Sequence, residues 1–271
     1  MSNITKISNL SFFSSMCRKT KNEFTTDFRN LPRPYFIMCL DIEGEGVFMP
    51  ENGDENIYIH PGDIIFIPVS TRYMAIRKGN PNIIHIGIHF LFEYDKIALN
   101  QRDYRMQKVT LPNFEETKQK FEFVYSHHNG TETEQYASMG VFYSILSEVL
   151  PLLHYKRQKK IDDRIDQTIS YIDTHYSEPI SIPELADISK MSIPYFFSCF
   201  KEAVGMSPIE YKNKVCIDHA MLLLLDTDKR TIEEISEMLG FASSIYFRRV
   251  FKKITGQTPK EYQKSSLHQP F

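Results

Sequence analysis

The stretch that decides the fold is "TIEEISEMLGFASSIYFRRVFKKITGQTPKEY", Thr231 to Tyr262. It repeats an earlier one, "SIPELADISKMSIPYFFSCFKEAVGMSPIEY", Ser181 to Tyr211. Leu185 matches Ile235 at an offset of 50. Phe196, Phe200, Gly205, Pro208 and Tyr211 match Phe247, Phe251, Gly256, Pro259 and Tyr262 at an offset of 51, so one residue enters the second copy before its second helix. Self-similarity of this kind means one supersecondary unit built twice.

The punctuation says which unit. Ser181-x-x-Glu184 and Thr231-x-x-Glu234 are capping boxes that each open a short helix. A turn follows at Lys190-Met191 and at Gly240-Phe241. Ser192, and Ser243 or Ser244, can cap a second helix that ends at Gly205 or Gly256, residues that tolerate a left-handed C′ position. Ser207-Pro208 and Thr258-Pro259 start a third helix. A short helix, a tight turn and a second helix make a helix-turn-helix, here expected at about 182–204 and about 232–255. Leu185, Ala186, Met191, Phe196 and Phe200 read as the core of the first unit. Ile235, Leu239, Phe241, Phe247 and Phe251 read as the core of the second.

Between these apolar positions the second helices face outward. The C-terminal copy presents Ser244, Ile245, Arg248, Arg249 and Lys252; Arg can read guanine bidentately and Lys can neutralise phosphate. The N-terminal copy presents Pro194, Phe197, Ser198 and Lys201, which offer few hydrogen bonds. Phe197 either contacts a thymine methyl or packs against the linker helix. The first copy is expected mainly to position the protein and the second to supply most of the charge. Local clustering carries this reading, since the chain from residue 161 onward holds 13 Lys and Arg against 16 Asp and Glu. With so few outward cations, a moderate salt dependence of DNA binding is expected. "SPIEYKNKVCIDHAMLLLLDTDK" joins the copies as one helix, with Tyr211, Val215, Ala220, Leu223 and Leu224 at core spacing.

From about residue 165 to 264 the chain closely resembles the AraC/XylS family of bacterial transcription regulators. Ser236, where the family usually has Ala, and Ile245, at a position more often polar, depart from its pattern, as do Pro194 and Phe197.

Upstream, residues from about 30 to 95 alternate as strands do. "YFIMCLDIEGEGVF" is a β run ending at a Gly-rich turn, and "IYIHPGDIIFIPVS" is two strands joined at Pro61-Gly62-Asp63. In "NIIHIGIHFLF", Ile84, Ile86, Ile88 and Phe90 share one face and His85, Gly87 and His89 the other. Short strands between turn signals suggest a small barrel or sandwich. Asp41, Glu43 and Glu45 read as ordinary surface at a turn. From 113 to 157 the period becomes helical, broken at Asn129-Gly130, and the basic run "HYKRQKK" (154–160) reads as a linker or helix end.

This region looks like the family's cupin-like sensor. The resemblance implies a barrel over residues 1–112 that takes a small-molecule effector, a sugar or carbon source among the expected kinds. It also implies a helical dimerisation and linker region over 113–160 and a DNA-binding domain over 161–271. The fold class expected is α+β multidomain: a barrel with following helices, then an all-α domain of two helix-turn-helix subdomains joined by a linker helix. Tyr35, Tyr58, His60, Tyr73, His85 and His89 are the candidate effector contacts. The implied partners are double-stranded DNA at operator half-sites, a second copy of the chain and, for an activator, RNA polymerase.

A metal-binding cupin needs a His-x-His pair after its first turn and a later His, and neither is present. His85 and His89 are four residues apart, ~13 Å along a strand, too far for one ion. No catalytic residue, metal or cofactor is expected, and the chain is read as a non-enzyme. The alternatives are a cupin metalloenzyme fused to a DNA-binding domain, and a ligand-independent regulator whose barrel only dimerises. Cys17, Cys39, Cys199 and Cys216 form no CxxC pair, and no signal peptide or membrane span is evident. A cytoplasmic, nucleoid-associated bacterial protein is expected.

Overall fold

The strands begin earlier than the sequence signals suggest. The computed structural model describes residues 10–30, 32–92, 104–154, 162–225 and 230–268, and its first strand, β1, runs Leu10–Asp27. This run has no Gly or Pro and many charges, so nothing local marks it as a strand. Its register is imposed by a long antiparallel partner, β6 (Tyr73–Phe92). Both strands bend at one level: pairing slips between Lys21 and Glu23, where Asn22 takes φ 64°, opposite 79–81 of β6. Such irregularities let a flat sheet curl.

The other strands are β2 (Phe36–Glu43), β3 (Glu45–Pro50), β4 (Ile57–Ile59), β5 (Asp63–Ile67) and β7 (Gln107–Thr110). They order as β4-β3-β6-β2-β5-β7, with β1 also on β6. The edge strand β4 comes back against β5 and β7, so the sheet rolls into a nearly closed antiparallel barrel. Residues directly across a ladder share a face. Asp41 lies across from His85, Ile37 from His89, and Arg18 from His85, which puts these side chains on the inner face. The other face, with Phe36, Met38, Ile88 and Phe90, is buried too. Helices α1 (Phe114–His127) and α2 (Glu132–Val149) follow. Phe142 of α2 packs its ring 4.9 Å from that of Phe90, and α1 lies against β1, β2 and β6.

Of the basic run, only His154 falls within the described residues. The chain divides into two compact units, 1–156 and 157–270. The second is all helix: α3 (Asp163–Thr174), α4 (Ile182–Ile188), α5 (Ile193–Val204), α6 (Pro208–Leu225), α7 (Ile232–Met238), α8 (Ser244–Thr255) and α9 (Pro259–His268).

The repeat holds at the level of single contacts. Ser181 and Thr231 close full capping boxes with Glu184 and Glu234. In the turns, Met191 N–H donates to Ala186 C=O at 3.0 Å, and Phe241 N–H to Ser236 C=O at 3.1 Å. Both turns need a left-handed residue, Lys190 at φ 53° in one and Gly240 at φ 68° in the other. Only Gly fits at 240, because a Cβ there would lie 1.8 Å from the Ser177 carbonyl oxygen. The caps of the second helices differ: Ser243 accepts from Tyr246 N–H, whereas the Ser192 hydroxyl makes no cap bond. Each core is an aromatic ladder. Phe196, Phe200 and Tyr211 stack edge-on at 5.6 and 5.9 Å, and Phe247, Phe251 and Tyr262 do so at 5.8 and 5.7 Å. Met191 and Phe241 are half-buried at the margins. On α6 the buried row includes Tyr211, Val215, Ala220 and Leu224 as expected. It adds Ile217 and Met221, while Leu223 is only half-buried.

Candidate functional site

The second helix of each unit is set by its buried pair, Phe196 and Phe200 on α5 and Phe247 and Phe251 on α8. A buried pair at i and i+4 forces the opposite face outward. On α5 that face carries Pro194, Phe197, Ser198 and Lys201, all exposed. On α8 it carries Ile245, Arg248, Arg249 and Lys252, also exposed, with Ser244 half-buried at the helix start. Both sets fall at helix positions 2, 5, 6 and 9. Phe197 is 40% exposed and Ile245 80% exposed, so the option of Phe197 being packed away is not taken.

The two arginines are held differently. Arg248 donates from Nη2 to Glu233 of α7 at 2.5 Å, an exposed ion pair. The Arg249 guanidinium lies 5.2 Å from the Tyr246 ring centroid, and no carboxylate partner is seen for it among the described residues. The counterpart of Glu233 in the first copy is Pro183, opposite the position where Phe197 replaces Arg248. The two positions that carry the ion pair in one copy are thus both apolar in the other.

Inside the barrel, Tyr35, Tyr73, His85 and His89 are buried. Tyr58 and His60 do not join them. Both are exposed, and Ile59 between them is the residue that points in, because β4 alternates. Asp41 is not surface either. The turn falls at Gly44, φ 92°, so Asp41 stays on the inner face of β2, where its carboxylate accepts from Arg77 Nε at 2.8 Å. The pair is almost wholly buried, with side-chain exposures of 6% and 2%. Sequence reading missed Arg77, whose signal was an inward position on an apolar strand. Burial alone would lower its pKa, but Asp41 holds it above the ordinary Arg value. The guanidinium also sits 4.8 Å from the Phe48 ring centroid and donates to Cys39 Sγ.

Burial, with Arg77 and Arg18 nearby, brings the His85 imidazole down to about 2. Burial and Arg33 bring His89 down to about 3. His89 stacks on Tyr35 at 5.0 Å, whereas His85 Nδ1 is buried with no hydrogen-bond partner among the described residues. Both rings are therefore neutral when folded and take up protons on unfolding below the ordinary His value. Stability of the barrel should fall as pH drops below ~6.5, by up to ~1.4 kcal/mol per pH unit for each ring, until pH nears their folded values. Hydrogen exchange of barrel amides at pH 5 and pH 7 checks this. The double variant His85→Gln/His89→Gln should flatten the difference, and equal protection at both pH values in the parent chain would contradict it.

Among the described residues, no three His, Cys, Asp or Glu side chains gather in a way that would hold a metal ion. No helix among them is long and apolar enough to cross a membrane.

A family model for a helix-turn-helix domain matches residues 185–265. An uncharacterized HTH-type transcriptional regulator of Staphylococcus aureus is 33% identical over 256 residues, 90% of this chain and 33% of that protein. The chain thus spans no more than about a third of the length of the first curated relatives it matches. The arabinose operon regulatory protein of Salmonella typhimurium is 24% identical over 84% of this chain and 83% of its own length. Among solved structures, ToxT from Vibrio cholerae with an unsaturated fatty acid bound superposes with a TM-score of 0.59 at 14% identity, covering 96% of this chain and 97% of its own.

Proposed function

We propose that this chain, which belongs to the AraC/XylS family with its N-terminal barrel and C-terminal double helix-turn-helix domain, is a sequence-specific regulator of transcription gated by a small molecule. The observation that carries the reading is the repeated outward face at positions 2, 5, 6 and 9 of α5 and α8. One copy of a helix-turn-helix can be a structural coincidence, but two with the same exposed face on one linker helix suit a duplex.

The barrel, placed at 1–112, is the effector site in this proposal. Arg77 already has its counter-charge in Asp41, and two neutral imidazoles and the Tyr35 and Tyr73 rings line the same interior. Such a lining suits an uncharged, hydroxyl-rich ligand of the sugar type. A carboxylate ligand, in the manner of the fatty acid bound by ToxT, is the second reading, favoured by the half-buried Arg18 over the Phe24 ring. The ligand acts only by binding one arrangement of the chain better than another. The helical region 113–160 is the proposed homodimer contact, supported by the exposed Tyr125 and Tyr136. RNA polymerase is the further partner if regulation is positive, and the protein works at the nucleoid of a bacterial cytoplasm without enzymatic activity.

Selection of bound sequences from random duplex DNA by the full chain tests the first part. A preferred site should emerge, with affinity falling against salt at a slope set by roughly two to four phosphates. Failure to enrich any sequence, with and without sugar and fatty-acid panels, would sink the reading. Thermal shifts against the same two panels separate the ligand classes.

A further inference from the structure

We infer that this protein reads thymine 5-methyl groups through apolar side chains on both second helices, Ile245 in one half-site and Phe197, flanked by Pro194, in the other. The inference rests on the DNA-reading function proposed above and names the base chemistry that function recognises.

The two helices are the same length, 12 residues, and their outward faces align position by position. At position 9 both carry Lys, Lys201 and Lys252, the residue type for phosphate. At position 2 both carry an exposed apolar residue, Pro194 and Ile245. Residues at the N-terminal end of such a helix are the ones that reach base edges. Ile245 has no hydrogen-bonding atom beyond its backbone and stands 80% exposed, so on this outward face it can offer a base edge only an apolar contact. The only apolar group on a major-groove edge is the methyl of thymine. At position 5 the first copy repeats the chemistry. Phe197 stands where the second copy has Arg248, and the acid that steadies Arg248 is there replaced by Pro183. Pro194 and Phe197 lie one helical turn apart, so the first helix offers a continuous apolar strip beside Ser198. It has no Arg with which to grip guanine, only Ser198 and Lys201.

The sites selected by the full chain should therefore hold an A·T pair under each helix start. Replacing thymines of the selected duplex by deoxyuridine, one at a time, removes a methyl and changes nothing else on the groove edge. Affinity should fall roughly three- to tenfold at one position or more in each half-site. Ile245→Ala should abolish the penalty in one half-site only and Phe197→Ala in the other, while Ile245→Val keeps it. Both side chains are exposed, so neither change disturbs folding. A duplex bound equally well with every thymine replaced would overturn the inference while leaving DNA binding intact. So would a Phe197→Ala chain that keeps full affinity and uracil sensitivity but no longer alters transcription, which would mark that strip as a protein contact. A chain that selects no sequence overturns the regulator reading itself, and this one with it.

Discussion

Arg249→Ala should weaken binding of the selected duplex roughly 10- to 100-fold, the largest loss of any single change on the outward faces. A bidentate Arg–guanine contact is worth ~1–3 kcal/mol of discrimination. Among the described residues Arg249 has no carboxylate to leave before it can reach a base, and the Tyr246 ring beneath it restricts its rotamers in advance. Arg248 differs: a groove contact must first break its pair with Glu233, so Arg248→Ala should cost less. Glu233→Gln should tighten binding a few-fold by freeing Arg248 and removing an anion near phosphate. Ser198→Ala should cost less than either Arg change. Equilibrium binding of the four variants to one duplex ranks them. If Ser198→Ala proves the most costly, the charged copy is not the main reader.

Asp41→Ala should destabilise the barrel by ~3–5 kcal/mol, because it strands a guanidinium that is buried among apolar strands. Arg77 would keep the Phe48 ring, the Cys39 sulfur and the nearby Tyr73 as neighbours, none of them a carboxylate. For a unit of this size the melting temperature should fall by ~10 °C or more. The double variant Asp41→Leu/Arg77→Met should recover most of the loss, since removing both charges removes the stranded one. Residues 157–270 form a separate compact unit, so their hydrogen exchange should be unchanged. A barrel that melts normally with Asp41→Ala would show that Arg77 is compensated by another group.

The helical half was legible because its signals are local. A capping box, a glycine stop and a Pro start each act within four residues, and the repeat supplied a second reading of each. Even the inserted residue before α8 could be placed. The barrel was legible only where alternation was clean. β1 was invisible because its strand character comes from β6, whose paired residues lie 47 to 82 positions away in the chain. Asp41 was grouped with Glu43 and Glu45 as turn surface although it lies inside β2, three residues before Gly44, and a buried ion pair across two strands leaves no trace in spacing. Tyr58 and His60 looked like pocket residues by type, but in the three-residue β4 the inward face is that of Ile57 and Ile59. For Phe197 the spacing left two fates open, and its exposure selected one.

The 18-residue α6 belongs at once to the first module, through Tyr211 against Phe200, and to the second, through its packing on α7, α8 and α9. A helix advances ~1.5 Å and turns ~100° per residue. Adding one residue to α6 would thus swing one reading head a quarter-turn or more away from its groove while barely changing the separation. Operators for this protein should therefore tolerate base changes far better than insertions between their halves. Loci that drift by one base pair in spacing would drop out of its control at a stroke.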